Sequence, residues 1–212
     1  MKNFKVMLLY LLAGYILPLL PNPELIIHYK ILMLMVSCIV MMLWANPPLI
    51  LSEGRQKKSS DKGTLMLIFV LGFVALLAPI LEWAYFKTDT GWTLWTSVGL
   101  LLTVGGLSFR IWSLRVLGKY FTGVVQQVEG HQLVTSGPYQ WLRHPSYLGS
   151  WVAFLGCAVF LEAWVGLVIT FLAMGTAYFF RISAEETTLE NIFGNAYRQY
   201  RLRTWRLVPF VW

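Results

Sequence analysis

Charged side chains make up only 13% of this 212-residue sequence, against 57% hydrophobic ones. A soluble domain of that length carries roughly a quarter charged residues, so the chain falls outside the ordinary globular class. Acid is the rarer sign, with 10 Asp and Glu against 17 Lys and Arg. Cysteine is rarer still: Cys38 and Cys157 lie inside long apolar runs without metal-type spacing, so they read as small apolar residues and imply no disulfide. A glycine-rich strand–turn–helix phosphate loop is absent, which excludes a soluble Rossmann-type cofactor domain. No segment repeats at a solenoid-like period, so solenoids and inverted-repeat transporters find little support.

Apolar runs fill the space left by charge, and mean hydropathy is +0.61. A membrane span needs about 20 mostly apolar residues, and Phe4–Leu20, Leu25–Trp44, Thr64–Leu81 and Trp92–Phe109 qualify. The last apolar block, Leu148–Phe180, is too long for one span and carries Glu162 near its middle. It reads as a hairpin of two helices, Leu148–Leu161 and Ala163–Phe180, whose first arm is short enough to tilt or to stop partway across. The predicted fold is all-α: a multi-pass membrane protein of about six transmembrane helices, with a C-terminal helix beyond them.

The Lys/Arg distribution tests this threading independently. With the N-terminus cytoplasmic, the cytoplasmic segments hold Lys2, Lys5, Arg55, Lys57, Lys58, Lys62, Arg110, Arg115, Lys119, Arg143, Arg181, Arg198, Arg201, Arg203 and Arg206. The opposite side holds Lys87, with Lys30 near that face. Cytoplasmic loops carry the positive excess in membrane proteins. A single final span would put the C-terminal arginines on the wrong side, so the hairpin is preferred. The net charge of +7 then follows from topology and anionic headgroups and needs no nucleic acid. Pro18, Pro21 and Pro23 follow the first run without a small-residue cleavage site, as in a retained span rather than a signal peptide.

The chain divides unevenly. Residues 1–109 read as a four-helix membrane scaffold, and 110–212 alternate apolar helices with segments rich in Arg, His, Glu and Tyr. The basic connector Ser52–Gly63 carries no assignable chemistry. Arg181–Arg203 shows helical apolar spacing through Leu189, Ile192, Phe193, Ala196 or Tyr197, and Tyr200, with Glu186, Glu190, Asn191 and Arg198 opposite. That pattern predicts a cap over 181–212, lying at the membrane surface or folding back over a cytoplasmic cavity, with Gly194 as an interruption. The tail Trp205–Trp212 has the aromatics of a segment at headgroup level.

Two polar clusters stand beside the apolar runs. The segment His131–Tyr147 packs His131, His144, Arg143, Pro138, Pro145, Tyr139 and Tyr147 between them. Pro145 biases His144 away from the helical region, and Gly137-Pro138 favours a turn before Tyr139. Arg143-His144-Pro145 alone reads better as a headgroup anchor than as a site; the full run is far more specific. Arg181 and Glu185 share a helix face at i,i+4, either as an exposed ion pair of a few tenths of a kcal/mol or as polar groups facing a cavity at the membrane edge.

Arg110-Ile-Trp-Ser, Leu117-Gly-Lys-Tyr-Phe121, the His131–Tyr147 run and Arg181…Glu185-Glu186…Phe193-Gly194…Tyr197…Tyr200 together resemble the isoprenylcysteine carboxyl methyltransferase family of membrane enzymes, relatives of the phospholipid methyltransferases. The resemblance implies a carboxyl methyltransferase using S-adenosylmethionine and releasing S-adenosylhomocysteine, without a metal. It divides 110–212 into a cofactor loop over 126–147, the hairpin 148–180 and the cap 181–212. It places cofactor contacts at Gln126, His131, Gln132, Leu133, Val134, Tyr139, His144, Pro145, Ser146, Tyr147 and Glu185, with Gln126 nearer His131 than in eukaryotic relatives. It places the contact to the substrate carboxylate at Arg181, so Arg181 and Glu185 are the expected catalytic pair. On chemical grounds Glu185 suits the cofactor's ammonium, while Arg143, His144 or backbone N–H groups suit its carboxylate.

The implied acceptor is a lipophilic carboxylate such as a prenylcysteine α-carboxyl, met in a bacterial or archaeal inner membrane or in the endoplasmic reticulum. Termini and cofactor loop are expected on the cytoplasmic side, with membrane lipids as partners and no nucleic acid. Phospholipid amine N-methylation stands as the alternative. An NADPH-dependent sterol-reductase-like enzyme and a non-enzymatic membrane protein rank below it.

Overall fold

A computed structural model of the chain describes residues 8–44, 63–86, 91–118 and 133–210, and within them the structure is helical with no strand. The connector over 52–62 lies outside the described residues. Six apolar helices follow one another: α1 (Leu8–Leu19), α2 (Tyr29–Trp44), α3 (Thr64–Phe86), α4 (Leu94–Leu117), α5 (Pro145–Phe160) and α6 (Trp164–Phe193). A short α7 (Asn195–Arg201) follows. By length and composition α3, α4 and α6 can each cross a membrane, whereas α1, α2 and α5 are apolar but shorter. α1 widens to a π-helix over Leu12–Ile16 and tightens to a 3-10 turn over Leu17–Leu19, where Pro18 removes a backbone donor.

The hairpin forms where Glu162 interrupts the last apolar block: α5 ends at Phe160, Glu162 adopts φ 56° and α6 starts at Trp164. The cap differs from expectation. α6 runs without a break across Phe180 and Arg181 as far as Phe193, for 30 residues. The onset of polar residues at Arg181 does not end the helix, because no proline follows and Arg181 is itself buried among partners. The break falls at Gly194, at φ 52°, a conformation that costs glycine little. Only α7 and the tail after it fold as a separate piece.

The scaffold is built from two antiparallel pairs. α4 and α5 approach backbone to backbone along glycines spaced seven apart, Gly99 and Gly106 on one helix and Gly149 and Gly156 on the other. A Cβ on Gly106 would sit 2.5 Å from the backbone nitrogen of Ala153, and one on Gly149 would sit 2.7 Å from that of Arg110. Small residues at such crossings let helices without a hydrophobic driving force gain dispersion contact. α3 pairs with α6 in the same manner: Gly166 lies against Pro79, its N–H donates to Glu82 Oε2 at 2.6 Å, and Thr170 Oγ1 donates to the Ala75 carbonyl at 3.0 Å.

These pairings give the bundle two distinct polar ends. At one end, buried Lys30 lies 3.8 Å from Glu162, which also accepts a 2.6 Å hydrogen bond from Thr93, the N-cap of α4. At the other end are Thr64, Arg110, the start of α5, and Arg181 to Glu186. A core of Ala75, Met174, Tyr178, Ile182 and Leu207 lies beneath this second end.

Candidate active site

Proline chemistry builds the loop that enters this end. Gly137, at φ 58°, opens a 3-10 turn over Gly137–Gln140 that buries Pro138 and Tyr139. His144 then sits at φ −128°, ψ 54°, outside the helical region as a residue before proline should. Pro145 occupies the first turn of α5, where its missing N–H costs nothing. The buried Arg110 of α4 donates from Nη1 to the Ser146 carbonyl at 3.0 Å, tying this first turn to the neighbouring helix.

Arg181 lies one helical turn before Glu185 on α6, and the hydroxyl of Tyr147 lies between them. Arg181 Nε donates to the Tyr147 oxygen at 3.3 Å, and that hydroxyl donates to Glu185 Oε2 at 2.8 Å. Arg181 Nη1 also donates to Thr64 Oγ1 at 3.1 Å, anchoring the cation to the start of α3. Arg181 is only 3% exposed, so the reading of an exposed ion pair does not hold. A buried guanidinium fixed by two hydroxyls keeps its charge at one place, which is what orientation of an anion requires.

Glu186, the next residue, turns to a different set of partners. It accepts from Arg143 Nε at 2.8 Å and His144 Nε2 at 3.3 Å through Oε1, and lies 3.0 Å from Arg206 Nε through Oε2. Arg143 Nη1 reaches the carbonyls of Arg201 and Thr204 as well. Backbone bonds continue the tie: Arg143 N–H donates to Trp205 O at 2.8 Å, and Trp205 N–H donates to Trp141 O at 2.9 Å. Tyr200 hydroxyl donates to Tyr139 O at 2.7 Å. Residues 195–206 therefore form a strap laid over the loop 139–144. Burial pushes the phenol of Tyr139 above its ordinary range, with Glu185 adding to it, and burial does the same for Tyr200. Both remain neutral near pH 7.

Of the residues expected in the site, the structure brings Tyr139, Arg143, His144, Pro145, Ser146, Tyr147, Arg181 and Glu185 to one end of the bundle. Leu133 and Val134 lie at the start of the same described segment, partly exposed. Gln126, His131 and Gln132 fall outside the described residues. Arg143 is spent on Glu186 and the strap carbonyls, an engagement that its position beside His144 does not announce. Glu186, Arg206, Thr64 and Arg110 are polar groups of the site that reasoning from the sequence did not place there. The doubled Glu185-Glu186 was the available signal for the first of them; Arg206 had none.

Residues 94–196 match the family described as "Phospholipid methyltransferase". The chain is 33% identical over 131 residues to the protein-S-isoprenylcysteine O-methyltransferase of Dictyostelium discoideum, covering 61% of this chain and 55% of that one. It is 37% identical over 120 residues to the human protein of the same name, covering 55% and 42%. The chain thus spans about half the length of these curated relatives. In three dimensions it resembles a eukaryotic intramembrane Ras methyltransferase, isoprenylcysteine carboxyl methyltransferase, with a TM-score of 0.66 at 21% identity, over 99% of this chain and 75% of that one. That likeness extends to α1 and α2, which lie outside the matched family region.

Proposed function

We propose, from the premise that residues 94–196 carry the fold and motifs of the membrane methyltransferases they match, that this protein transfers a methyl group from S-adenosylmethionine to a lipophilic carboxylate, a prenylcysteine-type α-carboxyl above all. The observation that carries this reading is the hydrogen-bonded arrangement of buried Arg181 with half-buried Tyr147 and Glu185. It sets a fixed cation and a fixed anion one helical turn apart, beside a proline-started helix and a loop of Leu133, Val134 and Tyr139. Such a set suits a cofactor that is a zwitterion at one end and an aromatic base at the other.

When bound, that cofactor supplies an electrophilic methyl on a sulfonium. Glu185 takes the role of partner to its ammonium, with Tyr147 holding the carboxylate in place. Loop backbone and the faces of Tyr139 and Tyr147 take adenosine. Gln126, His131 and Gln132 complete the contact set, and His144 to Tyr147 line its side towards α5. Arg181 holds the acceptor carboxylate by charge-assisted hydrogen bonds, which align one oxygen for in-line displacement. A carboxylate is already ionised at neutral pH, so no strong base is needed, and the strap serves to keep water out.

The same buried Arg181 argues against a phosphatidylethanolamine acceptor, because a protonated amine would meet a like charge in a poorly screened site. The description of the matched family keeps amine N-methylation as the second reading. The charge distribution supports six crossings, with both termini and the loop on the cytoplasmic face where the cofactor is dissolved. Calorimetry of S-adenosylhomocysteine binding to purified protein tests the cofactor. Methyl transfer to an N-acetyl farnesylcysteine against phosphatidylethanolamine then tests the acceptor. Base-labile methyl on the prenylcysteine is the expected product; transfer to the phospholipid alone refutes the assignment.

A further inference from the structure

Two adjacent glutamates project from α6, and about 100° of helical rotation separates them. Glu185 meets Tyr147. Glu186 is 6% exposed and gathers Arg143, His144 and Arg206 on its two oxygens, a set drawn from the loop 139–144 and the tail. Glu190 ties α6 to Arg198 and Arg201 of the strap, but among the described carboxylates Glu186 alone holds loop and tail together on α6. His144 is 3% exposed, and a carboxylate at its Nε2 requires the proton to sit on that nitrogen. Arg206 continues to Ser183 Oγ, one turn earlier on α6, at 2.9 Å. Arg143, His144 and Arg206 thus converge on one carboxylate, and removing it takes a partner from all three at once.

We propose that Glu186 is a positioning residue: through Arg143, His144 and Arg206 it pins the strap 195–206 and the loop 139–144 to α6, in the arrangement that encloses S-adenosylmethionine, without itself touching the ligand. Arg143 then belongs to the strap tie rather than to the cofactor's carboxylate. The ligand part of this inference rests on the methyltransferase reading; the mechanical part does not. The two glutamates divide the labour, one for the ligand and one for the enclosure.

The test uses the full chain in detergent or nanodiscs, with hydrogen exchange of 195–206 measured without ligand and S-adenosylhomocysteine affinity measured by calorimetry. Glu186→Gln speeds exchange across the strap and weakens binding on the order of ten-fold, as expected for one lost charged hydrogen bond. It raises the KM for S-adenosylmethionine while kcat at saturation stays within about two-fold. Glu186→Asp recovers most of both properties. Arg206→Gln moves both in the same direction by a smaller amount, and it serves should Glu186→Gln fail to fold. Glu185→Gln weakens binding with strap exchange unchanged. Loss of affinity in Glu186→Gln with an unaltered strap overturns the proposal and makes Glu186 a ligand contact. A loosened strap with unaltered affinity overturns it in the other direction, as mere structural support. Should the unmutated protein bind no S-adenosylhomocysteine, the methyltransferase reading falls along with the ligand half of the inference, and strap exchange in Glu186→Gln still decides the mechanical half.

Discussion

Gly106→Ala isolates the seam between α4 and α5, and Gly105→Ala beside it is the control. A methyl group on Gly106 would lie 2.5 Å from the Ala153 nitrogen, 2.6 Å from the Gly149 carbonyl oxygen and 3.0 Å from the Ala153 Cα. All three atoms are backbone, so no side chain can rotate away. Restoring ordinary contact near 3.4 Å requires the helices to part by about 0.9 Å. Overpacking of this kind costs about 1–3 kcal/mol. At about 2–4 °C per kcal/mol for a chain of this length, the unfolding midpoint falls by roughly 2–12 °C. A methyl group on Gly105 meets nothing within 4 Å, so that variant gains helix propensity and loses nothing. Gly149 stands two residues beyond Tyr147, so parting the seam also displaces the start of α5 from Arg181 and Glu185. Misplacement near 1 Å is worth up to about a hundred-fold in rate, and Gly106→Ala therefore lowers kcat/KM as well. Thermal unfolding in one detergent measures the first effect, and steady-state kinetics on the same samples measures the second. Matching midpoints for the Gly105 and Gly106 variants would refute close backbone packing as the basis of this pair.

Glu185→Ala weakens S-adenosylhomocysteine binding roughly ten- to hundred-fold, the worth of one charge-assisted contact, whereas Arg181→Ala leaves that affinity within a few-fold and lowers kcat; calorimetry beside steady-state kinetics separates them, and unchanged affinity in the Glu185 variant removes it from the cofactor site. Tyr147→Phe deletes the hydroxyl that Arg181 and Glu185 share, and kcat/KM falls about ten-fold; a silent substitution shows that the two charges need no spacer. Lys30→Met breaks the buried pair with Glu162 at the far end of the bundle, where Glu162 keeps its Thr93 bond. The protein loses roughly 1–3 kcal/mol of stability, less than a fully buried pair because Glu162 is partly exposed, while S-adenosylhomocysteine affinity is unchanged; a drop in affinity would couple the two ends.

Much of the fold was legible because its signals are local. Glu162 inside an apolar run too long for one span marks a turn, and the turn is there. Pro145 forbids a helical His144 and starts α5 at the residue where its own lacking donor is harmless. The end of α6 was not legible. A helix in lipid and a helix in water share the same backbone bonds, so the change from Phe180 to Arg181 alters what surrounds the helix and not whether it continues. Only Gly194, which offers a left-handed turn, ends it. The glycine seam was also hidden. Seven-residue spacing puts Gly99 and Gly106 on one face, yet nothing local says that the facing residues are Gly149 and Gly156.

The site divides along the same line. Spacing of i,i+4 places Arg181 and Glu185 on one face of a helix, and the family resemblance, not the spacing, named them as site residues. The partner between them, Tyr147, comes from another helix and depends on how α5 packs. Glu186 is the sharper case. By composition it is interchangeable with Glu185, and by spacing it is simply the next residue. Rotation about α6 gives the two different neighbours, and those neighbours come from positions 143, 144 and 206, which no helical or hairpin period relates. A pair of identical side chains can therefore hold two unlike sets of contacts, and the difference lies in which partners arrive. Arg143 is the clearest instance: beside His144 in the sequence it reads as a free cation of the loop, yet the fold commits its guanidinium to the Glu186 carboxylate and to the carbonyls of Arg201 and Thr204, so its task follows from the tail that packs on it and not from its neighbours in the chain.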